Sequence, residues 1–496
     1  MTEETPKAYW IPEELQKILD RIPGGTTPFV KKYQRGDKDI AVSFLRLSPE
    51  ALRTAAEWLK ERRQQVLVKR PVREIAALLD RVADRWLTPS YEPRQRAIRL
   101  ISAITGFSPE MVAHSIHLEQ ISSRGPHLIK ALTNELGDPA FLDGFQKNDR
   151  LGGYSHAVGP ELVGAIFSSN IPALPHLEIM RAFLVKAACL GRVSAGEPIF
   201  LSLYARTLAE LDPELASCLA IVYWERGDDD AENAFLESIN YLVAYGGEQQ
   251  TLRLIKAKPA SLEATWHGHK MGFIYVAKES LARSQAREVA HKVAYDFTVF
   301  DGHACLCPQV CLVDRDGEVS PEEFGKMCAE EMAVWAKELP PRSMDLSEAA
   351  NKYRERELHL MRASQEDMKD RMTIIAAPED YSCLVYIDRH QRFEPSLGER
   401  YVRIVPVGGV ADVEAMVRPI RHYLQNAAIA AGEETFSKLR YTLARMGVTR
   451  VGPPGLMGTP SMMWHHDGNA CLGKMLTWCD HERMLPEELL ELQHAS

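Results

Sequence analysis

No run of about 18 uninterrupted apolar residues occurs in this 496-residue chain, which excludes a helical membrane span. The nearest approach, IMRAFLVKAACL, is interrupted by Arg181 and Lys186. Basic residues are also short. The chain has 59 Lys and Arg against 68 Asp and Glu, and the net charge of −9 argues against a general nucleic-acid binder. The opening MTEETPKAYW holds no apolar segment, so no secretory leader is expected and a cytoplasmic location is. Nine cysteines, an odd number at uneven spacing, read as reduced thiols rather than a disulfide framework. Glycine and proline, 31 and 29, are too few and too scattered for a linker-like or fibrous chain. What remains is an ordinary globular balance, 45% hydrophobic and 26% charged, at a length that suggests about three domains.

The first 150 residues read mostly as helix. Ala, Leu, Glu and Arg recur at helical spacing from Ser48 to Leu87, opened by the start signal Ser48-Pro49-Glu50, and a second start stands at Ser108-Pro109-Glu110. Both are expected to be packing helices. From about Gly159 short apolar strands alternate with helices: ELVGAIFSSN, then the helix IPALPHLEIMRAFLVKAACLG, then LASCLAIVYWERG with DDDAEN able to cap the next helix, then NYLVAYGG and a helix from Glu248. That alternation predicts a parallel sheet covered on both faces, with ligands beyond the carboxyl ends of its strands. Ser168–Asn170, Trp224–Asp228 and Tyr245–Gly247 are therefore candidate ligand contacts. Beyond them a helix is expected over Lys278–Asp301, a buried strand at CPQVCLVDRDG and a helix over Ser320–Leu339. An exposed charged helix is expected in SMDLSEAANKYRERELHLMRASQEDMKDR, strands at CLVYIDRH and YVRIVPVGG, and a helix over Asp412–Leu424.

The segment FDGHACLCPQVCLVD carries the strongest chemical signal. Small residues place Cys305 and Cys307 just before Pro308 and a strand, where a thiol can stand exposed at a domain edge. A nucleophilic cysteine needs a depressed pKa or a nearby base, and His303 lies two residues away. Buried structural thiols are the competing reading. A zinc site from C-x-C lacks a second ligand pair at finger-like spacing. No G-x-G-x-x-G occurs. His267 and His269 alternate on an expected strand, and a metal set of His267, His269, His465 and His466 matches no known ligand spacing.

Seven motifs in order, SSNIPALP, SAGEPIFLSLYARTLAELDP, VYWERGD, VAYGGEQQT, HGHKMGFIYV, VFDGHACLCPQ and GVTRVGPPGLM with WHHDG, resemble the LuxC-like acyl-CoA reductases, a branch of the aldehyde dehydrogenase superfamily. The resemblance runs from about Tyr154 to Glu482. It implies that Cys305, in its A-C-x-x-P context, accepts the acyl group, although Cys307 stands where a small polar residue is more usual. It implies that the Asn170 amide helps form an oxyanion hole, a role competing with a simple helix cap. His267 occupies the place where hydrolytic relatives carry a glutamate base, and a missing carboxylate there favours thiol exchange over hydrolysis. Gly246 and Gly247 align with the turn near the cofactor pyrophosphate. Arg192 falls near the family's ribose-contacting lysine and can pair a 2′-phosphate, which favours NADPH over NADH; a surface charge is the alternative.

The resemblance further implies an α/β, aldehyde dehydrogenase-like fold with a Rossmann-type cofactor domain, an α/β catalytic domain and a small oligomerisation element. The corresponding division is a helical region at 1–150 packed on the cofactor domain, the cofactor domain at 151–282, the catalytic domain at 283–450, and a segment at 451–496 returning to the cofactor and oligomerisation region. The implied reaction is NADPH-dependent reduction of a long-chain acyl-CoA to the aldehyde through an acyl-cysteine, by a homo-oligomer with no resident metal. Alternatives are an NAD-dependent acylating dehydrogenase, a subunit charged by an acyl-protein synthetase or acyl carrier protein, and a catalytically silent scaffold.

Overall fold

A computed structural model describes residues 5–35, 38–365, 371–390, 392–482 and 491. Residues 366–370 of the expected charged helix, and 1–4, 483–490 and 492–496 of the expected terminal regions, lie outside that set. The N-terminal region carries the expected helices. Ser48 caps Pro49–Gln65 by accepting from the Ala51 N–H at 3.2 Å, and Ser108 caps Pro109–Ser122 through the Met111 N–H at 3.2 Å. Pro71 divides the Ser48–Leu87 stretch, so a separate helix runs over Val72–Leu87. The region also holds an unexpected antiparallel hairpin, β1 (Thr26–Arg35) and β2 (Lys38–Leu47). Val42 and Phe44 of β2 alternate into the core with period two, the signature of a half-buried strand.

Strands β3 (Gln146–Asn148) and β4 (Gly153–Val158) begin a small antiparallel sheet. The five-stranded parallel sheet follows: β5 (Leu162–Ile166), β6 (Ala188–Arg192), β7 (Leu219–Val222), β8 (Tyr241–Tyr245) and β9 (Glu263–His267), in the order β7-β6-β5-β8-β9. β6 corrects the expected helix running through KAACLG. The helix His176–Leu184 ends, Lys186 takes a φ of 58°, and Ala188–Arg192 turns back between β5 and β7. The order reverses direction at β5, so the carboxyl ends of β5 and β8 flank the switch point where ligands bind in such sheets.

HGHKMGFIYV is not one strand. β9 ends at His267, the chain crosses over 268–270, and β10 (Met271–Val276) belongs to a second sheet. The sheet-to-sheet crossing therefore precedes residue 282. The second sheet adds β11 (Pro308–Asp314), β12 (Met372–Ala376), β13 (Leu384–Asp388), β14 (Tyr401–Val407), β15 (Leu424–Ala430) and β16 (Arg450–Gly452), ordered β12-β13-β14-β11-β10-β15-β16. Only the β12–β13 pairing is antiparallel. Two apolar clusters cover its faces, and a third, larger cluster joins the five-stranded sheet to the N-terminal helices.

Other expected helices are trimmed. Lys278–Asp301 becomes a short 3₁₀ turn and the helix Ala286–Thr298. The helix expected over Asp412–Leu424 stops at Val417, because Pro419 lacks an N–H to continue it, and Leu424 opens β15. The charged helix spans Leu346–Ser364 behind an Asp345/Glu348 capping box, with Arg356 its one buried described residue. β17 (Thr477–His481) returns to pair with β4 and completes the small sheet.

Candidate active site

The carboxyl ends of β5, β8 and β9 face the amino ends of β10, β11 and β15 across a cavity of about 910 Å³. Its walls bring together Asn170, Gly246, Gly247, His267 and Cys305 from elements far apart in the chain. Of the three segments expected at strand ends, Ser168–Asn170 and Tyr245–Gly247 line it, and Trp224–Asp228 does not.

Topology separates the two thiols. Cys305 opens onto the cavity, whereas Cys307 is fully buried and donates to the Val299 carbonyl at 3.3 Å. Burial, with the nearby Asp467 charge, pushes the Cys305 thiol up to about 12, partly opposed by its own N–H and that of Leu306. The resting thiol is therefore protonated, and attack requires a base. The same two N–H groups are donors fixed beside the sulfur.

The loop before Cys305 is held under strain. Phe300 and Asp301 have φ of 55° and 50°, and Asp301 docks on Glu399 and Arg400, at 55° and 64°. Each of these non-glycine residues is in the disfavoured left-handed region. Gly302 meets Gly398 so closely that a Cβ on it would lie 3.0 Å from the Gly398 Cα. The Glu399 N–H donates to the Asp301 carbonyl at 2.7 Å, and His303 Nε2 and Arg342 Nη2 donate to Glu399 Oε1 at 2.8 and 2.7 Å. Burial alone would raise Glu399; these two donors instead hold it down at about 2. His303 is thus tied to Glu399. Arg400, paired with Asp301 and donating to the Leu339 carbonyl at 2.7 Å, is 2% exposed. Arg400→Ala strands a buried carboxylate, so unfolding in urea is expected to show a loss of about 3–5 kcal/mol. A loss under about 1 kcal/mol would show the pair contributes nothing beyond an exposed ion pair.

Asn170 projects from the end of β5 and donates from Nδ2 to the His303 carbonyl at 3.3 Å, on the loop that carries Cys305. It caps no helix: the next helix starts at His176, with Pro175 at its N-cap and no side-chain cap.

His267 ends β9. Asp467, from the WHHDG motif, accepts from its Nδ1 at 2.7 Å, and a carboxylate acceptor fixes that proton, leaving Nε2 unprotonated in the neutral ring. Gln425 Nε2 holds the other Asp467 oxygen at 2.6 Å, and Asp467 itself sits at φ 54°. Burial would raise Asp467, but His267, His466 and Gln425 keep it below the usual carboxylate value. The His267 ring packs against Tyr245, at 4.5 Å, and His466, at 3.9 Å. Burial and the adjacent His267 hold His466 well below the ordinary histidine value. The nearest ligand atoms of His267, His466 and Asp467 lie within 4.8 Å of one another. His267 Nδ1 and His466 Nε2 both face Asp467 Oδ2, at 2.7 and 3.8 Å, and the two imidazole planes stack at 23°. His269 lines the cavity at the crossing between the sheets.

Gly247 is the N-cap of the helix Glu248–Ala257, which has no side-chain cap, and nothing lies within 4 Å of the position a Gly247 Cβ would take. Its free N–H groups thus form an uncovered anion cradle on the cavity wall. Arg192 stands apart from the cavity at the end of β6. It donates from Nε to the Trp224 carbonyl at 3.0 Å and lies over the Tyr223 and Trp224 rings. Sequence reasoning missed two carboxyl groups here, Asp467 and Glu119. Asp467 lay within a quoted motif and Glu119 on a helix assigned to packing.

Residues 67–478 match the LuxC acyl-CoA reductase family. The chain is 24% identical over 415 residues to a long-chain acyl-protein thioester reductase from Photorhabdus luminescens, covering 81% of this chain and 80% of the relative. A protein of the same name from Vibrio harveyi is 22% identical over 416 residues, covering 83% of each. Among solved structures, an NAD-dependent benzaldehyde dehydrogenase from Corynebacterium glutamicum matches with a TM-score of 0.66 at 13% identity, over 92% of this chain and 95% of that one. A mutant aldehyde dehydrogenase C from Pseudomonas syringae, solved with NAD+ and octanal, gives 0.67 at 10% identity over 98% of each. The aldehyde dehydrogenase-like fold expected from the motifs is the fold observed. Among the described residues no helix is long and apolar enough to cross a membrane. With most of its length matched, the chain belongs to the LuxC family of acyl-CoA reductases, oxidoreductases that act on an acyl thioester.

Proposed function

We propose that this enzyme reduces a long-chain fatty acyl thioester to the aldehyde with NADPH, carrying the acyl group on Cys305. The observation behind the proposal is that Cys305 opens onto a cavity shared with the Asn170 amide and with an imidazole whose tautomer Asp467 fixes. Leu118, Ile121, Leu174, Leu177 and Met462 give that cavity apolar wall for an acyl chain. His267 Nε2 takes the Cys305 proton as sulfur attacks the thioester carbon, which answers the raised thiol pKa. Asn170 and the N–H groups beside the sulfur hold the oxyanion. The glutamate base of hydrolytic relatives is missing at the end of β9, which favours thiol exchange over hydrolysis.

The Gly246-Gly247 turn and the bare helix N-terminus would hold a dinucleotide pyrophosphate, and when bound the reduced nicotinamide supplies a hydride to the acyl carbon. Cys305 then leaves as thiolate while Asn170 again holds the oxygen. The terminal nitrogens of Arg192 make no hydrogen bond to the described residues, which supports pairing with a 2′-phosphate and hence NADPH over NADH. In this reading the nucleotide is held by the region before the 268–270 crossing and Cys305 by the region after it, with His267 reaching between them. The exposed edge strand β17, carrying Trp478, supports assembly as a homo-oligomer.

Acyl-CoA is the soluble donor for the test. Relatives named acyl-protein thioester reductases support a second donor, an acyl group carried on a partner protein. Following nicotinamide absorbance with palmitoyl-CoA should show NADPH consumption matched by aldehyde. No consumption with either a CoA-bound or a protein-bound acyl group, under NADPH or NADH, would refute the reading. His267→Ala is expected to slow acyl-enzyme formation by about 100-fold with nucleotide affinity unchanged. Asp467→Asn should slow the same step less, and an unchanged acylation rate in both variants would return the pair to a structural role. His267→Glu should raise thioester hydrolysis.

A further inference from the structure

The helix Pro109–Ser122 touches both the loop after Asn170 and the loop before Cys305. Ser115, wholly enclosed, donates from Oγ to the carbonyl of Pro172, two residues beyond Asn170, at 2.7 Å. Met111, also enclosed, accepts through Sδ from the Phe300 N–H at 3.3 Å, on the loop that leads to Cys305. Four residues apart, these two side chains leave one helix face about 6 Å from each other along its axis. Between them His114 meets the Tyr295 hydroxyl at 2.8 Å, on the helix Ala286–Thr298 that runs into the Cys305 loop. Farther along, Gln120 donates to His176 Nε2 at 3.0 Å, and His176 Nδ1 donates to the Ala173 carbonyl at 2.7 Å.

The anchored stretches are ones whose backbone cannot hold itself. Ala173 and Phe300 have φ of 69° and 55°, and left-handed residues other than glycine persist only where their surroundings over-determine them. The direct link between the two loops is weak by comparison. Asn170 Nδ2 reaches the His303 carbonyl at 3.3 Å, long for an N–H···O bond, whereas the Ser115 bond has the ordinary O–H···O length. The helix therefore decides the spacing. We propose that Ser115 is a positioning residue for the oxyanion hole: it holds the Asn170 loop on the helix that also anchors the Cys305 loop, and so fixes the Asn170 amide against the acyl carbon carried by Cys305. An amide has two N–H bonds, so one can rest on the His303 carbonyl while the other serves the oxyanion. The inference rests on the oxyanion role of Asn170 and the thioester chemistry assigned to Cys305.

A double-mutant cycle separates positioning from mere support of the fold. Acyl-enzyme formation from palmitoyl-CoA is timed in a single turnover for wild type, Ser115→Ala, Asn170→Ala and the double variant, with thermal unfolding measured on each. Ser115→Ala is expected to slow the step about tenfold, the scale of a small misplacement of a catalytic group, with nucleotide affinity unchanged. In the Asn170→Ala background the same change should slow it by less than about twofold, because the group being placed is gone. Ser115→Cys keeps a weaker donor at similar volume, so its rate should lie between wild type and Ser115→Ala. Should Ser115→Ala not fold, Ser115→Cys takes its place in the cycle, with slowing again confined to the protein that retains Asn170. Equal slowing in both backgrounds, or none with Asn170 present, would overturn the role. If Asn170→Ala itself acylated as fast as wild type, the oxyanion reading would fail and Ser115's part with it. If wild type formed no acyl-enzyme, the thioester chemistry would fail first.

Discussion

Cys305→Ala is expected to abolish both the acyl adduct and aldehyde formation, lowering turnover by roughly 10⁴–10⁶, the scale on which covalent nucleophiles are lost. Cys307→Ala is expected to behave differently. Its sulfur is enclosed and bonded to the Val299 carbonyl, so the variant should keep the adduct and lose about 1 kcal/mol of stability to the cavity left behind. Adduct formation and thermal unfolding on the two variants separate the thiols, and a Cys305→Ala protein that still turned over would transfer the role to Cys307.

Asn170→Ala is expected to lower turnover by about 10²–10³, equivalent to about 2.7–4 kcal/mol of transition-state stabilisation, with much smaller changes in thioester or nucleotide affinity. The effect is large because oxyanion charge develops both in acyl transfer and in hydride addition, and one donor serves both steps. Asn170→Asp should be at least as damaging. A carboxylate would repel the oxyanion and would also face the His303 carbonyl that the amide now donates to. Because the following helix carries no side-chain cap, neither variant is expected to unfold that helix. An active Asp variant would reject the oxyanion role.

Much of this arrangement was legible in the sequence because it is local. Apolar runs closing in small polar residues marked β5, β7 and β8, and Ser-Pro-Glu marked two helix starts, since strand burial and capping are decided within a few residues. β6 was hidden because AACLG continues the apolar texture of the preceding helix, and only a backbone reversal at Lys186 separates them. β15 was hidden because LQNAAIA has one β-branched residue among Gln, Asn and three Ala, and its place between β10 and β16 supplies what propensity does not. Cys305, Asn170 and His267 were legible through their motifs. The carboxylate that orients His267 was not, since 200 residues separate the partners and folding alone brings them to 2.7 Å. Glu119 was hidden for a similar reason. On a helix read for packing, nothing local distinguishes a carboxyl facing solvent from one facing a catalytic cavity.

The central claim is that Cys305 carries the acyl group, and trapping tests it most directly. The protein is incubated with palmitoyl-CoA in the absence of nicotinamide nucleotide, digested, and its cysteine peptides are weighed. The account predicts a palmitoyl adduct on Cys305 that disappears on addition of NADPH as palmitaldehyde is released. An adduct on Cys307, or steady aldehyde production with Cys305 never acylated, would contradict it.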